Sequence, residues 1–76
     1  MDTRSRMEDI FNKVLSGEMT AHSMYEALDE LVNTAEEEDD LVCIAEECLI
    51  ELDMSGNRKT SAKECAKMAL EELSKL

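Results

Sequence analysis

Seventy-six residues suffice for one domain, since a chain this short buries only about 60% of the surface its unfolded form exposes. Nineteen acids against eight bases leave a formal net charge of −11, which disfavours direct binding to DNA, RNA or an anionic membrane and favours a basic protein surface or a cation. No apolar run approaches the ~18 residues of a membrane span, and one Phe, one Tyr and no Trp leave no stacking platform for single-stranded nucleic acid. The three cysteines are an odd number without a secretory signal pattern, and are expected to be reduced thiols in the cytoplasm.

The absence of proline and the wealth of Leu, Ala and Met favour helix throughout. Ser5 followed by Glu8 has the form of a capping box, and Met7, Ile10, Phe11, Val14 and Leu15 then recur at helical spacing up to Gly17. Thr20 is the expected N-cap of a second helix. Its apolar stripe is Ala21, Met24, Tyr25, Leu28, Leu31, Val32 and Ala35, with His22, Glu26, Asp29, Glu30 and Asn33 opposite. A third helix is expected to begin at Asp39 or Asp40, to carry Leu41, Ile44, Ala45, Cys48, Leu49 and Leu52 inward, and to stop at Gly56-Asn57. Ser61 and Glu64 form a second capping-box pattern ahead of Ala62, Cys65, Ala66, Ala69, Leu70, Leu73 and Leu76. The expectation is an all-α protein, a single acidic helical domain over residues 1–76 in which four short helices pack as a compact bundle with antiparallel neighbours.

Charge is segregated along this pattern. Residues 14–57 contain thirteen acids and neither Lys nor Arg. Glu26 and Glu30, like Glu47 and Glu51, stand one helical turn apart, roughly 5–6 Å between β-carbons, where like charges cost about 0.2–0.5 kcal/mol per pair. Asp29 accompanies the first pair, and Glu36, Glu37, Glu38, Asp39 and Asp40 form the connection between the two. Closely spaced carboxylates can compete for a groove built to hold phosphates, whereas a solvated face would explain the same letters as a solubility device.

Two other patterns bear on function. The segment Asp53 to Glu64 places oxygen-bearing side chains at its positions 1, 3, 5, 9 and 12 and resembles a degenerate EF-hand loop. That resemblance implies a calcium site on Asp53, Ser55, Asn57 and Glu64 with the Lys59 carbonyl. Arg58 stands where the motif needs glycine and the loop holds three bases, so weak affinity is expected, and a Gly turn before a helix cap accounts for the letters equally. Acyl-carrier proteins share the size and acidity, but Ser5, Ser23 and Ser61 are not flanked by the Asp and Leu of their attachment motif.

Catalysis has little to assemble from: one His22, no nucleophile–base spacing and no phosphate loop. No cofactor and no metal site are expected, and Cys43 with Cys48 is a weak zinc pattern. Cys43, Ile50 and Met54 form a second apolar strip on the third helix, which suits a dimer contact, a partner anchor or burial under a neighbouring helix. The expected function is protein binding, in its most concrete form as an inhibitor or nucleic-acid mimic of the kind small phage or mobile-element proteins supply. The expected contact residues are Glu26, Asp29, Glu30, Glu36, Glu37, Glu38, Asp39, Asp40, Glu47 and Glu51, together with Ile50 and Met54. The competing expectations are an adaptor or homodimer joined through the apolar strip, and a weak calcium binder.

Overall fold

Helix α1, Thr3–Ser16, is started by a residue that the capping-box pattern passes over. The Asp2 carboxylate accepts a 2.8 Å hydrogen bond from the Ser5 backbone N–H, so Ser5 is the donor to a cap and not the cap itself. The same bond, followed by one from the Ser5 hydroxyl, holds the Asp2 carboxyl below its ordinary value. Glu8 turns to Arg4 instead, 3.8 Å away. Gly17 closes the helix in the left-handed region at φ 87°, which side chains disfavour, and its N–H reaches the carbonyls of Lys13 and Val14.

The computed structural model describes residues 2–35, 39–55 and 62–76, with 53–55 described by backbone alone. Helix α2, Ala21–Thr34, is capped by Thr20, whose hydroxyl oxygen accepts from the Ser23 N–H at 3.1 Å. Helix α3, Asp40–Ser55, is capped by Asp39, whose carboxylate accepts from the Val42 N–H at 3.0 Å. Helix α4 is Ala62–Ser74. Among the described residues there is no strand. The Gly56-Asn57 stop, the Ser61 cap and most of the EF-hand-like segment lie outside the described residues.

The residues lining small hollows reveal how the helices run. Thr3 and Arg6 share one hollow with Thr34, Ala35 and Asp39, and Arg4 shares another with Asp39, Asp40 and Leu76. The starts of α1 and α3 therefore meet the ends of α2 and α4 at one end of the molecule. Sequence neighbours run antiparallel, as short links require. The main contacts are α1 with α4, α2 with α3, and α3 with α4, a cyclic bundle with a radius of gyration of 11.2 Å, close to the ~11 Å of a packed chain this long. Arg4 Nη2 donates a 2.7 Å hydrogen bond to the Leu73 carbonyl. That carbonyl also accepts from the Leu76 N–H at 3.1 Å, so Arg4 adds a second, charged donor and sets a positive charge at the negative end of α4.

The core is formed by Met7, Phe11, Met24, Leu28, Leu31 and Leu73, each at most 2% exposed, around the small residues Ala45, Ala66 and Ala69. Of the leucines expected to be buried together, Leu28, Leu31 and Leu73 are buried, while Leu49, Leu52 and Leu70 are partly buried against them. Three expected apolar-stripe positions face solvent. Ala21 is exposed in the first turn of α2, Leu15 lies beyond the α1 stripe, and Leu76 is past the end of α4. Val42, outside the expected α3 stripe, is also buried, and it lines the hollow shared by Arg6 of α1 and Leu31 and Thr34 of α2.

Candidate partner-binding site

Helical rotation determines where the carboxylates go. On α2, Met24, Leu28 and Leu31 point into the core, so Glu26, Asp29 and Glu30, roughly half a turn away, are exposed on the opposite face. On α3, the core side is Ala45 with Ile44 and Cys48, which leaves Asp40, Glu47, Ile50 and Glu51 exposed. Glu47 and Glu51 turn toward α4 and away from α2. They meet Glu72, so the two acidic rows form separate surfaces: one along the outer face of α2, the other along the α3–α4 seam. Asp39 is engaged in capping and lines a hollow with Arg6. Glu36, Glu37 and Glu38 lie outside the described residues, and Met54 is described by its backbone alone, within α3.

Bases are distributed unequally around these surfaces. On α1, Asp9 has Lys13 at 3.1 Å and Glu8 has Arg4 at 3.8 Å; on α4, Glu72 has Lys75 at 3.8 Å. Glu26 pairs with His22 one turn earlier on the polar face of α2. Asp29, Glu30, Glu47 and Glu51 form no ion pair among the described residues.

The seam between α3 and α4 is an open groove of about 300 Å³. Its floor is Ile44, Cys48, Cys65 and Ala69, its apolar shoulders are Ile50 and Met68, and its rim is Glu47, Glu51 and Glu72. Ile50 is 55% exposed and Met68 49%, so Ile50 is not covered by a neighbouring helix. Met68 and Glu72 escape a reading of single stripes. The available signal was that α3 and α4 each place a large apolar residue outside the core-facing stripe.

No family model matches the chain, and no curated protein or solved structure does. The functional reading therefore rests on the chemistry of these surfaces.

The thiols in the groove floor are suited to packing. Burial pushes the Cys48 thiol up to about 12, with Cys65 and the charges of Glu47 and Glu51 adding to it. Burial likewise raises Cys65, with help from Glu51 and Glu64. Cys48 Sγ lies 4.0 Å from the Cys65 carbonyl oxygen, so both remain protonated at neutral pH, unlike the thiolates that act as nucleophiles or metal ligands. Cys43 is exposed on α3. Among the described residues no group of three His, Cys, Asp or Glu could hold a metal ion, no polar side chain is buried, and no helix is long and apolar enough to cross a membrane.

Proposed function

We propose that this chain is a non-enzymatic, cytoplasmic binding module that engages a basic surface on another protein. In its most specific form, that surface is the phosphate-binding face of a nucleic-acid-binding protein, which the chain occupies as an inhibitor or nucleic-acid mimic. One observation carries the reading: Asp29, Glu30, Glu47 and Glu51 are exposed without an ion pair among the described residues, while Glu8 and Asp9 of α1 and Glu72 of α4 are each paired with a base one turn away. Repulsion within Glu26/Glu30 and Glu47/Glu51 costs about 0.2–0.5 kcal/mol per pair in the isolated protein, and a basic partner relieves it on binding. Such complementarity acts most strongly on association rate.

The exposed Ile50 favours a second reading, an adaptor or homodimer joined through apolar contacts. The test is capture of a basic nucleic-acid-binding protein by the intact chain and by Asp29→Asn/Glu30→Gln/Glu47→Gln/Glu51→Gln. The expected result is slower association with a flatter salt dependence and an unchanged melting temperature. Unchanged capture by that variant, together with loss in Ile50→Asp, would favour the apolar reading. The calcium alternative is tested by melting with calcium and with chelator, where superimposed curves are expected.

A further inference from the structure

We infer that the α3–α4 groove is the seat of a partner's amphipathic helix, one with a central apolar row flanked on both sides by Lys or Arg. This deepens the basic-surface reading and rests on it. The floor and shoulders are apolar along Ile44 to Ile50 of α3 and Cys65 to Ala69 of α4, about 9 Å on the first bank and about 6 Å on the second at 1.5 Å per residue, nearly two turns at the longer. That span matches side chains at i, i+3 or i+4, and i+7 of a docked helix. The rim determines the flanks: Glu47 and Glu51 stand on one bank and Glu72 on the other, and among the described residues no base lines the groove. Lys75, the base beside Glu72, is 72% exposed at 3.8 Å, an ion pair that an incoming cation displaces at little cost.

Charge also selects against other occupants. An anionic lipid surface or a nucleic acid meets three carboxylates. A second copy brings a further net charge of −11, and its base-bearing helices, α1 and α4, already bury Met7, Ile10, Phe11 and Val14 or Cys65, Ala66, Ala69 and Leu73 in their own core.

The probe is a synthetic helical peptide of about four turns, with leucines at i, i+3, i+4 and i+7 and lysines on both flanks. It is compared with a scrambled peptide of identical composition. Binding to the full chain is read by fluorescence anisotropy and by amide chemical-shift changes at low salt. The expected result is binding of the patterned peptide with shifts centred on Cys48, Ile50, Met68 and Ala69, weakened about tenfold or more in Ile50→Asp and in Met68→Asp. Both residues are half-exposed, and unchanged far-ultraviolet spectra and melting temperatures establish that the variants fold. Equal binding of the scrambled peptide, with shifts spread over α2, overturns the groove and leaves the basic-surface reading standing. Binding of neither peptide overturns both. A sedimenting dimer of the chain that Met68→Asp dissociates overturns the basic helix in favour of a second copy.

Discussion

Helices α1 and α3 use similar lengths of chain in opposite ways. Every apolar residue of the α1 stripe from Met7 to Val14 is buried, and its polar face carries two acid–base pairs one turn apart. Helix α3 buries Val42, Ile44, Ala45 and Cys48 but also presents Ile50 to solvent, with Glu47 and Glu51 beside it and no base in its sequence. Apart from the exposed Leu15 near its end, α1 has its apolar stripe and two of its acids satisfied within the fold. α3 leaves both kinds of surface open, which is the condition expected of a helix that completes its contacts on a partner.

Substitutions can break this contrast. Phe11→Ala in α1 removes the largest fully buried side chain and is expected to cost about 3–5 kcal/mol by denaturant unfolding, a large share of the stability of so small a domain. Leu49→Ala in α3 is expected to cost less than a fully buried leucine, about 1–2 kcal/mol, because Leu49 is only partly buried against the core. Arg4→Ala removes the bond to the Leu73 carbonyl and is expected to cost about 1 kcal/mol. Ile50→Asp should alter stability by no more than about 0.5 kcal/mol while weakening binding of the patterned peptide about tenfold or more. An equal loss of stability in Phe11→Ala and Ile50→Asp would erase the distinction between the helices.

Thiol chemistry sharpens the same contrast within α3. At neutral pH an alkylating reagent should modify Cys43 rapidly, and Cys48 and Cys65 only as fast as the fold opens, which mass spectrometry reads directly. Because the buried thiols titrate above their unfolded value of 9.0, with Cys48 at about 12, their contribution to stability is complete below pH 9 and is lost as pH rises toward 12. The exposed Asp2 cap has the opposite sign: its lowered carboxyl supports α1 above 3.8, and that support fades as acid protonates it.

Helix number, order and the α2 stripe were legible because periodicity over three or four turns reports one face reliably. Thr20 was legible as a cap for the same local reason, and the start of α3 was narrowed to Asp39 or Asp40, of which Asp39 is the one that caps. The start of α1 was misread because Asp2 and Ser5 are both competent caps three residues apart, and the choice depends on which backbone enters the helix first. Glu26, Glu30, Glu47 and Glu51 were identifiable as exposed carboxylates. That Glu47 and Glu51 join Glu72 instead of the α2 row depends on how α3 is rotated against α4, which no single stripe encodes.

The contact between α1 and α4, tied by Arg4 to Leu73 across 69 positions, also bears on the order of events during folding. α2 packs on its sequence neighbour α3, whereas the main contact of α1 is with α4, the helix farthest from it in sequence, so the α2–α3 pair closes the shorter loop and is expected to form first. Until α4 docks, the Met7 to Val14 stripe is a segment that a chaperone would be expected to hold. A covalent link between the first turn of α1 and the last turn of α4, which this bond holds together, should speed folding by shortening the loop that must close.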